Sequence, residues 1–290
     1  TTRFVRKAVE GTCTTPVYSN IVTVTVRPVL NGGVVGTSQT ICNGDNVPAF
    51  TSSSPATGGA GSFTYTWQYT TNLLATPGDG NWTDIGSGNS ETYDHGTLTT
   101  PTKFVRKAVE GTCTPVVYSN EIIITVMPAL NSGAIGSNQT ICYGEDVSAF
   151  TSLAPASGGG GSFAYTWQYT TNMAIPVGDP AWNNIASSNS ETFDYGTLST
   201  TTRFVRKAVE STCSTPVYSN IITVTVRPAL NGGTVGINQT ICYDADVAAF
   251  TSSNPASGGA GSFTYQWQYT TNATAPLGDP AWFDIGTATG

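Results

Sequence analysis

The chain repeats itself every 100 residues, and that period constrains its fold more than any motif within it. RFVRKAVEGTC at 3–13 returns as KFVRKAVEGTC at 103–113 and RFVRKAVESTC at 203–213. FTYTWQYTTN at 63–72 returns, nearly unchanged, at 163–172 and 263–272. Residues 31–130 and 131–230 are identical at 62 of 100 positions, with no insertion or deletion. A unit of this length is a domain, since solenoid repeats run to roughly 20–45 residues. Each unit ends on an apolar, threonine-rich run closed by Pro28, Pro128 or Pro228, then Leu-Asn with glycine. Proline followed by Asn-Gly stops a strand and marks a short linker. The expected domains are therefore 30–129 and 130–229 complete, 1–29 as the last strands of a truncated repeat, and 230–290 as the front of another. The expectation is a stretch of a longer array. The alternative is a broken domain completed by another chain through strand donation.

Within a unit the apolar period is 2. In 63–70, Phe63, Tyr65, Trp67 and Tyr69 alternate with Thr64, Thr66, Gln68 and Thr70, which puts the aromatics on one face of a strand. Further strands are expected at 34–41 (A), 47–54 (B), 82–86 (C′), 91–94 (E), 102–110 (F) and 117–127 (G), with 63–70 as strand C. Gly and Pro clusters separate them, and no stretch shows a helical period. About seven strands per 100 residues, with a tryptophan on strand C, predict an all-β chain of tandem Ig-like β-sandwiches, head to tail as a rod or filament. Trp67, Trp167 and Trp267 are the expected core aromatics.

Only 10% of residues are charged, against roughly 25% in a typical soluble domain. Long solvated helices are thereby disfavoured. The net charge of −7 argues against nucleic-acid binding. No apolar run approaches the roughly 20 residues of a membrane span, and no signal peptide is visible. Any targeting segment is expected upstream of Thr1.

The succession QTIC, FTYTWQYTT, W-x-x-I, TT-x-FVRKAV, C, VYSN and ITVTV resembles the tandem Ig-like or PKD-like repeats of giant Bacteroidota surface proteins. These include gliding adhesins of the SprB type and other cargo of the type IX secretion system. The resemblance covers the whole chain. It implies a place outside the cell, at the surface or secreted, and leaves the ligand open.

Six cysteines fall two per period, at Cys13, Cys42, Cys113, Cys142, Cys213 and Cys242, and regular pairs in a secreted β-array predict disulfides. Without a C-x-x-C, zinc and thioredoxin-like chemistry are disfavoured. In Ig topology the A–B and F–G turns lie at opposite ends of a sandwich, roughly 25 Å apart for strands of this length. That favours an interdomain pair, Cys42 with Cys213, and sends Cys113 and Cys142 to cysteines outside the chain. The intradomain pairs Cys42–Cys113 and Cys142–Cys213 stay open if strand A is short or displaced.

All eleven Lys and Arg lie in the expected strands F and G. Two readings stand: a basic stripe meeting an acidic neighbour, or solvated side chains whose stems cover aromatic surface, with cation–π contact to Trp67. Arg106, Lys107, Arg206 and Lys207, with Trp82 and Trp182, are the candidate surface contacts. Acidic residues recur in the turn after strand A (Asp45, Glu145, Asp146, Asp244, Asp246) and at Asp79, Asp179 and Asp279. Calcium is conceivable there, but the spacing matches no dense calcium motif and suits turns. GGAGS at 58–62 reads as a flexible turn. The single histidine, His95, has Tyr195 one period on, so it reads as a surface or turn residue. No nucleophile–base pair and no phosphate loop is present, so no catalytic, cofactor or metal residue is assigned.

The function expected is a structural segment of an extracellular bacterial fibre or adhesin stalk that displays a distal region, in adhesion or gliding. Its partners would be neighbouring repeats, and other copies if it forms a filament. The alternatives are a glycan- or surface-binding module acting by avidity and accessory repeats of a secreted enzyme.

Overall fold

The structure is a computed structural model, and it describes residues 1–286. Among the described residues strands, turns and bends are the only regular structure, and no helix is long and apolar enough to cross a membrane. Two compact units are formed. One comprises Thr1–Leu130 with Gly158–Ser162 and Ser211–Cys213; the other comprises Asn131–Ser157, Phe163–Glu210 and the chain from Ser214 onward.

In the first unit the strands are β1 (Thr2–Phe4), β2 (Lys7–Ala8), β3 (Val17–Tyr18), β4 (Val22–Val24), β5 (Val34–Val35), β6 (Gln39–Ile41), β7 (Asn46–Val47), β8 (Ser52–Ser54), β9 (Phe63–Thr70), β10 (Thr83–Asp84), β11 (Gly96–Thr97), β12 (Thr102–Glu110), β13 (Val117–Tyr118) and β14 (Ile122–Val126). One sheet runs β10-β9-β12-β14-β6. The facing layer is built from the pairs β5–β8 and β7–β11 and a bridge between Phe50 and Tyr93. The second unit repeats this plan, with its larger sheet ordered Gln139–Ile141, Ile222–Val226, Thr202–Glu210, Phe163–Thr170 and Asn183–Asn184.

β9 and β12 pair antiparallel over eight residues, with Arg106 opposite Trp67 and Phe104 opposite Tyr69. Opposed residues share a face, so the alternating aromatics of β9 and residues 104, 106, 108 and 110 of β12 point inward together. Trp67 is fully buried, stacked on Phe50 at 5.4 Å, and packed with Phe104, Ile122, Ile124, Val35 and Val47. Trp167 occupies the same place in the second unit, against Phe150 at 5.4 Å.

The expected strand A is broken. β5 pairs antiparallel with β8, whereas β6 pairs parallel with β14, so the chain changes sheets at Gly36–Ser38. The crossing is held by side chains. The Asn120 carboxamide accepts from Val35 N–H and donates to Gly36 O, and Ser38 Oγ accepts from Ile123 N–H. Strand E is displaced from its expected place: the ladder lies at 96–97, and 91–94 contributes only the bridge at Tyr93.

The turn at 58–62 is more than a flexible connection. Gly58 has φ +99°, and a Cβ there would lie 2.1 Å from Val29 O, so only glycine admits the linker backbone. Gly59 N–H donates to Pro28 O at 3.0 Å. The same hydrogen bond recurs between Gly159 and Pro128 and between Gly259 and Pro228.

Candidate functional site

Where the sequence suggests solvated basic residues, the structure places Arg106 and Arg206 inside, each with no exposed surface. They are not surface contacts. The reason is phase: residue 106 alternates in step with Phe104 and Ala108, so β12 turns it toward the core beside Trp67. The guanidinium then finds partners at the layer edge. It donates to Ser52 Oγ (2.8 Å), Glu91 O (3.0 Å), Gly32 O (3.2 Å) and Ser54 O (3.2 Å). Its carbon lies 4.6 Å from the centroid of Tyr65, not over Trp67 as the sequence suggested. Arg206 repeats every contact one period on, with Ser152 Oγ, Glu191 O, Ser132 O, Ala154 O and the Tyr165 ring. A buried charge is tolerated when its donors are met; four carbonyl or hydroxyl acceptors take the two terminal nitrogens, while the buried Nε of Arg106 and of Arg206 has no hydrogen-bond partner. Burial lowers the pKa of both guanidinium groups, opposed by Tyr65 and Glu91 in one case and Tyr165 and Glu191 in the other. Chemically the group is a cross-brace tying strands of both layers to β12.

Lys107 and Lys207 lie on the opposite phase and are half-buried. Trp82 is half-buried and Trp182 is buried at 5% exposure, each indole N–H donating to a carbonyl of its own loop, Thr76 O or Pro176 O. Lys103 Nζ sits 5.7 Å from the Trp82 centroid and the Arg203 guanidinium 5.5 Å from that of Trp182. Lys103 also pairs with Glu121 at 2.6 Å. Trp182 therefore has little ring left to present to a sugar.

At the end of β12 the Glu110 carboxylate is buried and collects Thr112 N–H, Thr112 Oγ, Cys113 N–H and Ala60 N–H. These bonds, led by the Thr112 hydroxyl, hold its pKa down to about 2. Arg27 reaches the same place, 3.7 Å from Glu110 and bonded to Thr112 Oγ. Glu10 gathers Thr12 and Cys13 in the same way and is likewise lowered to about 2, with the Thr12 hydroxyl again the largest cause.

Cys42, just after β6, is disulfide-bonded to Cys213, with the two Cα atoms 5.7 Å apart. The alternative pairs Cys42–Cys113 and Cys142–Cys213 are not formed; Cys13, Cys113, Cys142 and Cys242 are free thiols. Met127, which stands where the first linker has Arg27, places its sulfur 3.7 Å from Cys213 Sγ.

The recurrent acids close turns. Asp79 accepts from Thr76 and Asn81 N–H, the Asn81 bond being the larger cause of its lowered pKa. Glu145 accepts from Cys142 N–H. Among the described residues no group of three or more His, Cys, Asp or Glu gathers where a metal ion would sit. His95 is half-buried rather than a surface residue: its ring lies 4.8 Å from Phe104, and burial lowers its pKa. Tyr195 makes the same contact with Phe204 at 4.8 Å.

The inward turn of Arg106 and Glu110 was the part sequence reasoning missed. The signal was available: both share the odd-even phase of Phe104, while Lys103 and Lys107 do not.

The profile of a family described as "Domain of unknown function (DUF8696)" matches residues 31–128 and 131–228. No curated protein matches the chain. Among solved structures, extracellular domains 3–5 of Drosophila OTK match at 12% identity and TM-score 0.33, over 77% of this chain and 70% of that one. Sidekick-1 immunoglobulin domains 1–4 match at 13% identity and TM-score 0.33, over 76% of this chain and 57% of that one.

Proposed function

Because the chain belongs to the family described as Domain of unknown function (DUF8696), through residues 31–128 and 131–228, we propose its role from how those repeats are built. It is a structural segment of a long extracellular bacterial surface fibre or adhesin stalk, whose task is to carry a distal region away from the cell. One observation carries this reading. The brace around Arg106 recurs at Arg206 partner for partner, so the most costly polar residue of each repeat is spent on holding the sandwich together. Near-copies with the same internal bracing suit a protein whose length grows by adding units.

The Cys42–Cys213 disulfide supports an oxidising compartment outside the cytosol. The resemblance of the repeats to those of gliding adhesins and type IX secretion cargo of Bacteroidota supports the finer reading proposed here, a place on the cell surface and a part in adhesion or movement. Immunogold labelling of intact source cells tests it. Label along extended surface material is expected, together with loss of the protein when whole cells are shaved with protease. Label confined to permeabilised cells would end the proposal.

A further inference from the structure

The two sulfurs of the Cys42–Cys213 disulfide stand in unlike surroundings. Cys42, Cys213 and Met127 all belong to the first compact unit. Cys213 is buried at 4% exposure. Cys42 is half-buried and opens a turn, residues 43–46, that is exposed throughout. The turn is pinned from behind. Gly44 N–H donates to Leu98 O at 2.8 Å, and the Asn43 carboxamide donates to Thr99 O at 3.2 Å. A solvent molecule therefore meets the Cys42 end of the bond before the Cys213 end.

Met127 covers the Cys213 end, and the backbone puts it there. β6 and β14 run parallel with Val126 opposite Ile41. One residue on, Met127 N–H donates to Ile41 O at 2.9 Å, which sets Met127 beside Cys42. Its side chain then carries Sδ to 3.7 Å from Cys213 Sγ. A disulfide sulfur has no proton to give, so the contact is packing between two polarisable atoms. One period on, Arg227 N–H makes the same bond to Ile141 O at 2.9 Å. The backbone thus delivers residue 127 or 227 to the same place, and the chain uses arginine at 227 but methionine beside the bonded pair. A cation near a cysteine favours its thiolate; Met127 supplies none.

We propose that Cys42 is a site of S-thiolation by small thiols such as glutathione, with Cys213 as the buried leaving group and Met127 as the positioning residue that closes the Cys213 side. Thiol–disulfide exchange proceeds by attack of a thiolate on one sulfur of the bond, and access decides which sulfur is attacked. Here the open turn leads to Cys42, while burial and the Met127 thioether screen Cys213. The mixed disulfide therefore forms at one defined cysteine rather than at either.

In the first step the glutathione thiolate bonds to Cys42 Sγ, the Cys42–Cys213 bond breaks, and its electron pair leaves on Cys213 Sγ, which takes a proton from water. The reverse step needs no further oxidant. The Cys213 thiolate attacks Cys42 Sγ, the original bond forms again, and glutathione leaves with the electron pair. A second glutathione thiolate can instead attack the glutathione sulfur of the mixed disulfide. Cys42 then leaves as a thiolate, the protein has gained two electrons and two protons, and the two glutathiones depart as glutathione disulfide. Cys42 thus carries the cap and Cys213 is the group that removes it.

The test uses the 290-residue chain. Its free thiols are first blocked with N-ethylmaleimide. Reduced glutathione is then added under native conditions, and isotopically heavy N-ethylmaleimide quenches the reaction at early times. Peptide mapping is expected to find glutathione on Cys42 and the heavy label on Cys213. Met127→Ala uncovers the Cys213 sulfur and is expected to put glutathione on both cysteines. Met127→Leu keeps an apolar cover of similar size and is expected to leave glutathione on Cys42. Met127→Arg is expected to speed loss of the disulfide about 3- to 10-fold, because a guanidinium stabilises the departing thiolate. Glutathione on Cys213 of the unmodified chain, or evenly on both cysteines, overturns the assignment to Cys42. An unchanged distribution in Met127→Ala overturns the part given to Met127. A disulfide that yields to glutathione only once the chain is unfolded overturns the whole proposal.

Discussion

Phe104 and Phe4 hold the same place in the period, yet one is fully buried and the other is 56% exposed. Trp67 and Trp267 differ in the same way, and so do the strands that carry them. FTYTWQYT at 63–70 is one strand of eight residues, whereas FTYQWQYT at 263–270 forms a strand only at Gln268–Tyr269. RFVRKAVE at 203–210 belongs to a nine-residue strand, but at 3–10 it forms two short pieces. Nearly identical segments therefore give different structure according to whether the other half of the sandwich is beside them. Strand propensity and alternation make these segments able to pair; the ladder extends only where both faces have partners. One element escapes this rule. The loop held by Glu10 has the bonds of the loop held by Glu110, so it is a local motif that needs no sandwich.

The sharpest way to break the comparison is to truncate the tryptophans. Trp167→Ala should cost about 3–5 kcal/mol, the usual penalty for emptying an aromatic core site. Trp267→Ala in dilute solution should cost less than about 1 kcal/mol. Urea unfolding followed by hydrogen exchange, resolved by peptide, distinguishes the two; equal losses would show that residues 230–286 already have a closed core.

Next in size is the brace. Arg106→Met removes a donor set from four acceptors and should destabilise its repeat by about 2–4 kcal/mol. Arg6→Met should stay within about 0.5 kcal/mol. A small effect at Arg106 would mean that water replaces the guanidinium at no cost, and amide exchange at 52–54 and 91 would report it.

The acid limb comes third. Glu110 has a pKa of about 2 in the folded chain against an ordinary 4.5. The stability it contributes is present above about pH 4.5 and is lost as the pH falls toward 2, where the folded state must also take up the proton. Glu110→Gln should flatten the stability profile across that window. Glu10→Gln should leave the complete repeats unchanged and loosen only the loop at Thr12–Cys13.

The smallest effect separates the two complete repeats. Burial lowers the His95 pKa below 6.5, so an unfolded chain takes up a proton more readily than the folded one. Stability from this site is full above about pH 6.5 and falls as the solution is acidified through that value. Repeat 30–129 should therefore soften between pH 7.5 and 5.5 while repeat 130–229, with Tyr195, does not. His95→Tyr should abolish the difference; if it persists, the histidine is not its source.

The strand at 63–70 was legible because a clean two-residue alternation of aromatic and polar residues fills it from end to end, and it and the strand at 102–110 appear at the expected residues. The break in the expected strand A was not. Its cause is a side chain 85 residues away, Asn120, which takes the backbone hydrogen bonds at Val35 and Gly36 that a continuous strand would give to a neighbour. The arginines were misplaced for a different reason. Composition makes an Arg-Lys pair read as surface, whereas alternation sends the two residues to opposite faces, and alternation decides. Gly58 belongs to a third kind: glycine-rich sequence looks the same whether a turn is loose or receives another backbone, and only the 2.1 Å approach of Val29 O distinguishes them.

The bond between Cys42 and Cys213 encloses a sequence separation of 171 residues. If the chain is pulled from its two ends, tension passes through that bond and residues 43–212 carry none of it. At roughly 3.5 Å per extended residue, about 600 Å of contour is stored beyond the reach of force. A reductant would release this slack as a step in a single-molecule trace, so thiol chemistry sets how far the chain can be drawn out.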